Sequence, residues 1–476
     1  MPDGPVIRWA SNPAPPGIAA AGAAGERLSA ARYVLDPGAV VPEHRHPEEE
    51  FGQVVKGRLE LGVDGAVHVL DTGEAFMIPG GVLHAARALD AGCELLECYA
   101  PPRGRDRRDL EIERVEVIPI RVPLARRFQG SHYSMTNRCT IVTRVHTAGG
   151  VVGESYNGDT DAEQKAIVRI VAEEIAPLLA GRSAWSVEGC WEAMLPPTYD
   201  ILRDRSLALQ AMACVDSALW DAVGKALDIP LFRLWGGYRD RLTAICIGGY
   251  YTDDLADVGR QIERYRELGF GGCKVKVGRL APEADAHRTR LAREAAGEDF
   301  VLMVDANQGY TREQAIRFAR LTEDLDIRWF EEPCRWLNDR LDMRDVRHAG
   351  RIQVAAGQSE SSRAGVRDLI AGGAIDVCNA DASWIGGPTE WRRIAALAAA
   401  YEVAMGHHEE PQVSAHLLAS IPHGTYVETF DPERDPLFWN LIANRRDFAG
   451  GEYLVPDGPG LGLELDADYI ARHRAA

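Results

Sequence analysis

Residues 271–277 read GGCKVKV. Successive side chains on a strand point to opposite faces, so Val275 and Val277 belong to one side and Lys274 and Lys276 to the other. An apolar side for packing helices and an inward side carrying lysine is the pattern of a barrel strand. Two lysines inside a barrel need anionic company. The surrounding sequence extends the pattern: from about residue 241 the β-like runs LTAICI, GGCKVKV, FVLMVD, IRWFEE, IQVAAGQ, AIDVCNAD, EVAMGHH and TYVETF alternate with amphipathic helical stretches. Eight such units predict a (β/α)8 barrel over residues 241–437.

The ends of these runs carry Lys276, Asp305, Glu331, Gln358, Asp381, His408 and Glu428, at intervals of 29, 26, 27, 23, 27 and 20 residues. Each interval is close to one βα unit. A single strand-end Asp is well explained as a cap for the next helix. Seven polar residues in register instead mark the C-terminal rim, where barrel enzymes keep their chemistry.

The chain has 476 residues, enough for two or three domains, with 46% apolar and 26% charged residues as in ordinary globular proteins. Its formal charge of -18 excludes the basic surface that nucleic acid and anionic membranes require. No apolar run approaches the ~18 residues of a membrane span, and the N-terminus lacks the basic start of a signal peptide. Nine scattered cysteines without a C-x-x-C pair read as reduced thiols of a cytoplasmic protein. The expected partner is a small-molecule hydroxy acid, and the expected assembly a homo-oligomer.

Upstream of the barrel the character changes twice. Residues 38–61, GAVVPEHRHPEEEFGQVVKGRLEL, alternate like strands broken by glycine, and AVHVL, EAFMIP and CELLECY continue an all-β region. His44 and His46 share a strand face, Glu50 comes four residues later, and His84 comes after a further turn. Three imidazoles and a carboxylate suit a divalent transition metal, Mn, Fe, Ni or Zn, although a string such as HRHPEEE is otherwise a solvated charge run. The proline- and glycine-bearing, charged stretch at 100–111 then reads as a domain boundary. After it, IERVEVIPIRVPL and CTIVTRVHTAGGVVGESY read as strands. In the first helix Ile167, Ile170, Val171, Ile175 and Leu178 form one stripe ended by Gly181, and an alanine-rich helix comes next at 208–227. This α+β region holds no obvious catalytic cluster.

The spacing Gly38, His44-x-His46, Glu50, Gly57, then Gly73, Pro79-x-Gly81 and His84, resembles the two cupin motifs, with Ala88 where an asparagine often closes the second. This resemblance covers residues 30–100 and implies a jelly-roll barrel with His44, His46, Glu50 and His84 around a metal. It names no activity.

Residues 112–465 resemble the enolase superfamily and, within it, the mandelate racemase group, through VDSALWDAVGKALDIPLFRLWGG, the K-x-K strand, VDAN, WFEEP, IGGPTEW and SAHLLA. The expected organisation is a cupin at 1–105 (motifs 38–88), an α+β capping domain at 106–240, the barrel at 241–437 and a C-terminal segment at 438–476 returning to the capping domain. The resemblance implies Asp305, Glu331 and Gln358 as Mg²⁺ ligands, Lys276 as one base, and His408 paired with Asp381 as the other. It implies Lys274 and Glu428 at the substrate carboxylate and Asn307 at its hydroxyl.

In MGHHEEPQ, residues 405–412, the register from SAHLLA selects His408, and strand alternation agrees. Val403, Met405 and His407 share the bulky face, Ala404, Gly406 and His408 the small one that fits a crowded interior. His407 is then structural, and Glu409 and Glu410 are loop residues near the mouth. The chemistry this implies is Mg²⁺-dependent removal of a proton next to a carboxylate, with Lys274 and the metal depressing the pKa of Lys276. The favoured outcome is acid-sugar dehydration to a 2-keto-3-deoxy product, and the alternative is a racemase or epimerase. The family usually has glutamate where Gln358 stands. An amide still offers an oxygen but no charge, so either affinity falls or Glu360 takes the place. A degenerate barrel that only binds a ligand, beside a working or sensing cupin, is the further alternative.

Overall fold

Each barrel strand divides its side chains between two cores. In the computed structural model, which describes residues 10–12, 16–24, 28–46, 48–100, 109–158 and 161–475, the inward positions Ile245, Met303, Trp329, Ala355 and Val377 form a small internal cluster. Their neighbours Cys246, Val275, Val304, Phe330, Cys378 and Met405 belong to the large core shared with the helices. All eight expected runs form strands: Arg241–Gly248, Gly272–Lys276, Val301–Asp305, Ile327–Glu331, Val354–Ala356, Val377–Cys378, Ala404–Met405 and Val427–Thr429. The first seven pair in parallel in chain order, and the first also pairs with the eighth. Between the seventh and eighth, Met405 N–H donates to His423 O at 2.8 Å and Thr425 N–H donates to Met405 O at 2.9 Å.

Local sequence sets the helix starts. Thr311 and Gln314 form a reciprocal capping box that opens Arg312–Leu321, and Ser362 accepts from Gly365 N–H at the start of Arg363–Ala371. Such starts fix where each strand-end loop stops, and so hold the rim in place.

The capping region is a three-stranded antiparallel sheet, Ile112–Gln129, Ser134–Thr147 and Val152–Asn157, covered by the helix Arg205–Leu227. Alanine lets that helix lie against the sheet closely. A Cβ on Gly153 would come within 2.0 Å of the Ala218 carbonyl oxygen, so glycine is required at this crossing. The preceding helix departs from the expected stripe. Helix Gln164–Arg169 runs through a π turn, Ile170–Ile175, into Ala176–Leu179. The wider turn rotates the residues after it about the helix axis, so Leu179 is buried in place of Leu178, which is exposed. C-terminal residues return to this sheet, where Ala475 N–H donates to Pro119 O at 2.8 Å.

The described residues fall into two compact units, Met1–Asp109 with Ala148–Gly150, and Leu110–Thr147 with Val151–Ala476. The first is an eight-stranded antiparallel sheet in which the long strands Glu49–Val63 and His84–Ala100 pair along most of their length. Leu35, Val54, Leu59, Leu61, Ile78, Cys93 and Leu95 form its core together with Ala88, so the place of the motif's asparagine is taken by a packing residue. Gly57 sits at φ +87°, where a Cβ would lie 2.1 Å from Gly92 O. Residues 101–108 of the proline-rich boundary lie outside the described residues. The nine cysteines are free, and no helix among the described residues is long and apolar enough to cross a membrane.

Candidate active site

The second barrel strand delivers both lysines inward. Lys274 Nζ donates to both Glu331 oxygens at 2.8 and 2.9 Å and ion-pairs with Glu428 at 2.7 Å. All three are essentially inaccessible to solvent. Lys276 Nζ donates to Asp305 Oδ2 at 2.6 Å. Both Asp305 oxygens are engaged further: Oδ1 by Asn307 N–H at 2.8 Å and Oδ2 by the Asn307 amide at 2.9 Å. Asp305 and Glu331 are register partners on adjacent strands. Burial opposes the charge on either lysine, but Glu331 and Glu428 hold Lys274 above its ordinary range, and Asp305 lifts Lys276 well above its own. The depression expected for Lys276 is therefore not the state this arrangement favours, because a carboxylate at 2.6 Å outweighs the second lysine.

Beyond the seventh strand the two histidines separate as their neighbours' sizes imply. His407 turns outward, where Nε2 accepts from Ala382 N–H at 3.0 Å and Nδ1 donates to His408 O at 2.8 Å. Burial lowers its pKa to about 4. His408 Nδ1 lies 3.0 Å from Asp381 Oδ2, and Ser383 N–H donates to the other Asp381 oxygen at 2.8 Å. Burial, reinforced by Lys274 and Lys276, holds His408 well below the usual imidazole range, so the resting ring is neutral.

Several further residues stand at this rim: the sequence marks Glu409 only as a loop residue near the mouth, and gives Arg138, Ser131, Tyr133 and Glu332 no role. Glu409 Oε1 lies 3.3 Å from His408 Nε2, the nitrogen that Asp381 leaves available. Arg138, from the capping sheet, reaches Glu409 at 3.9 Å and Asp435 at 3.0 Å. The Tyr133 ring lies 5.7 Å from Lys276 Nζ, and Ser131 Oγ donates to Val277 O at 2.6 Å. The stretch 126–137 thus contributes residues at the mouth. Glu332 is buried and accepts from Gln308, Gln358 and Ser359. Among the described residues nine non-glycine positions have positive φ, and Asn307, Gln308, Glu332, Glu409 and Glu410 are five of them. Such strain concentrates at sites whose geometry is over-determined.

Gln358 follows the end of the fifth strand. Gln358 is buried, and its Oε1 has no hydrogen-bond partner among the described residues. Asn307 Oδ1 is in the same situation. Glu360 is turned elsewhere, accepting from Arg340 at 2.7 Å. Two buried carboxylates on adjacent strand ends and an orphaned amide oxygen at the end of the next strand are all oxygen donors, a chemistry that fits a hard divalent cation.

In the first unit, His44 and His84 are register partners. The ligand atoms of His44, His46 and His84 all lie within 4.8 Å of one another. Each Nδ1 meets a backbone carbonyl two residues away, Pro42 at 2.8 Å, Glu48 at 3.1 Å and Val82 at 2.9 Å. These contacts fix the plane of each ring and turn its Nε2 side toward the other two. Glu50 Oε2 lies 3.0 Å from His46 Nε2 and 3.6 Å from His84 Nε2. Three imidazoles with one carboxylate fit a divalent transition metal.

Residues 112–236 match the mandelate racemase / muconate lactonizing enzyme N-terminal domain, and residues 257–469 the enolase C-terminal domain-like family. The 3,6-anhydro-alpha-L-galactonate cycloisomerase of Streptomyces coelicolor is 32% identical over 365 residues, 76% of this chain and 99% of the relative. The chain belongs to the mandelate racemase and muconate lactonizing enzyme family. Arabinonate dehydratase of Saccharolobus solfataricus is 32% identical over 344 residues, 68% of this chain and 88% of that family member. A crystal structure of a mandelate racemase/muconate lactonizing enzyme from a marine actinobacterium, in complex with magnesium, superposes with a TM-score of 0.73 at 52% identity, covering 77% of this chain and all of the other. Residues 31–98 match the cupin domain, so this family member carries an N-terminal cupin.

Proposed function

We propose that the chain dehydrates an acid sugar, removing the proton next to its carboxylate and expelling the β-hydroxyl to give a 2-keto-3-deoxy acid. The observation that carries this reading is the pairing of two proton carriers at one buried rim, Lys276 and the Asp381-held His408. Relatives named as a dehydratase and a cycloisomerase of sugar acids support the substrate class.

Asp305, Glu331 and Gln358 would hold Mg²⁺, which when bound supplies positive charge to the substrate carboxylate as electrons move onto it and competes with Lys276 for Asp305. Lys274 and Glu428 position the carboxylate end, and Asn307 the adjoining hydroxyl. Lys276 takes the α-proton as a free amine. Electrons from the broken C–H bond move toward the carboxylate. His408, neutral at rest, takes a proton from solvent at Nε2 as the substrate binds and then gives it to the β-hydroxyl, which leaves as water, and the enol product tautomerises. Asp381 and Glu409, at 3.0 and 3.3 Å from the two ring nitrogens, share the charge of the imidazolium. The same two carriers would serve a racemase if His408 returned a proton to the opposite face of the carbon.

In the cupin we propose a Mn, Fe, Ni or Zn ion on His44, His46, His84 and Glu50, separate from the proton chemistry.

The test is a library of mono- and diacid sugars incubated with the Mg²⁺-loaded protein in D₂O. Formation of 2-keto acid from a member supports the dehydratase. An α-deuterated epimer without keto acid replaces it by the racemase. Neither exchange nor elimination across the library would end both readings.

A further inference from the structure

The two adjacent glutamates of WFEEP diverge. Glu331 points into the barrel, where it meets Lys274. Glu332, at φ +37°, swings its carboxylate toward the end of the fifth strand instead. There its Oε2 receives Gln358 Nε2 at 3.3 Å, Ser359 Oγ at 3.0 Å and Gln308 Nε2 at 3.3 Å, and its Oε1 receives Ser359 N–H at 3.3 Å. Every partner is a donor, as an acceptor-only carboxylate demands.

We infer that Glu332 is the positioning residue that makes Gln358 a cation ligand, a step that rests on reading Asp305, Glu331 and Gln358 as the Mg²⁺ site. A glutamine amide can present either end to its surroundings, and only one end can ligate a cation. With Glu332 accepting, the nitrogen is held outward and Oε1 is left facing away from it. That oxygen is buried and has no partner among the described residues. The substitution of an amide at position 358 removes a negative charge from the ligand set but not from its surroundings. An acceptor stands one hydrogen bond behind, on Glu332, whose carboxyl burial pushes up to about 7 and which in its ionised form polarises the amide and adds electron density to Oε1. Glu360 does not serve in its place, since Arg340 holds it at 2.7 Å. Residue 332 therefore decides which residue at 358 works best. A carboxylate behind requires an amide in front, and an amide behind suits a carboxylate in front.

The experiment is a double-mutant cycle on the full chain, read by Mg²⁺ titration calorimetry rather than turnover, with circular dichroism to check folding. Glu332→Gln alone is expected to weaken Mg²⁺ binding by about tenfold, the usual scale for losing a ligand's hydrogen-bond partner. Gln358→Glu alone places two carboxylates at a single contact and gains little. The double variant Glu332→Gln/Gln358→Glu restores a donor–acceptor pair with reversed polarity, and is expected to bind Mg²⁺ at least about tenfold more tightly than additive single effects allow. Additive effects, or a Glu332→Gln variant that binds as wild type does, overturn the inference while leaving the metal site standing. Wild-type protein that binds no Mg²⁺ would remove the site itself, and the inference with it. If Glu332→Gln fails to fold, the double variant decides: recovery of fold and binding together supports the pairing of 332 with 358, and failure of both refutes it.

Discussion

Histidines in the cupin and in the barrel are held by different acceptors. In the cupin, Nδ1 of His44, His46 and His84 each meets a backbone carbonyl, and His46 Nδ1 also lies 3.2 Å from a Glu48 carboxylate oxygen. In the barrel, His408 Nδ1 meets the Asp381 carboxylate, and Glu409 approaches the other nitrogen at 3.3 Å. A carbonyl is neutral: it fixes the tautomer and the ring plane without favouring a second proton, which is what a metal ligand needs. A carboxylate does the same and also stabilises the imidazolium, which is what a group that gains and loses protons needs. His407 and His416 form a third class. Each accepts from one backbone N–H and pairs its other nitrogen with a carbonyl, with no carboxylate at either end. A carboxylate near each ring nitrogen thus sets His408 apart from His407 and His416, which meet backbone groups at both.

The sharpest way to break this contrast is to remove the proton carrier. His408→Asn should lower dehydration by roughly two to four powers of ten, the worth of a positioned acid or base. With Lys276 intact, the variant should still exchange the substrate α-proton with deuterium without forming keto acid. Retained dehydration at a comparable rate would place the acid elsewhere.

The structural class is probed by acid. An unfolded histidine takes its proton near 6.5, whereas burial lowers folded His407 and His416 to about 4. Between these values the unfolded chain binds more protons than the folded one, so stability falls as pH drops from about 6.5 to about 4 and the loss levels off below. At pH 4 each ring should account for about 3 kcal/mol. Urea midpoints of wild type and His416→Gln across this range check the sign. A parallel decline in both proteins would show that His416 is not a source of it.

A smaller effect tests the orienting carboxylate itself. Asp381→Asn keeps an acceptor beside His408 but removes the charge, so turnover should fall about 10- to 100-fold, with the loss growing toward alkaline pH, where the imidazolium is hardest to form and its stabilisation matters most. Unchanged turnover would make Asp381 no more than the equivalent of the cupin carbonyls.

Much of this arrangement is legible in the sequence because it depends on periodicity. Two-residue alternation places Lys274 and Lys276 inward and Val275 and Val277 outward, and the small neighbours Ala404 and Gly406 distinguish His408 from His407. Where the backbone leaves its regular path, residue type stops being informative. The π turn at Ile170–Ile175 exchanges Leu178 for Leu179. Glu332 and Glu409 reach the rim through positive φ angles of 37° and 52°, which no apolar pattern announces. The only trace of either is a doubled glutamate, in WFEE and in HHEE. Protonation is the least legible property, because the state of Lys276 turns on the 2.6 Å to Asp305 and not on the presence of another lysine nearby.

The smallest expected effect is also the one that tests whether the two histidine sites act separately. His46→Ala removes one of three imidazoles whose ligand atoms lie within 4.8 Å of one another. It should lower retention of Mn, Fe, Ni or Zn by the cupin, measured by metal analysis after reconstitution and dialysis, since one of the four donors His44, His46, His84 and Glu50 is lost. Barrel turnover should stay within about twofold of wild type, because every residue assigned to the proton chemistry lies beyond position 270 and Mg²⁺ prefers the oxygen donors of the barrel to imidazole. A fall in barrel turnover on loss of the cupin metal, with Mg²⁺ binding and fold intact, would show that the cupin site acts on the barrel reaction and that the division between ligand and proton-carrier histidines is not a division of function.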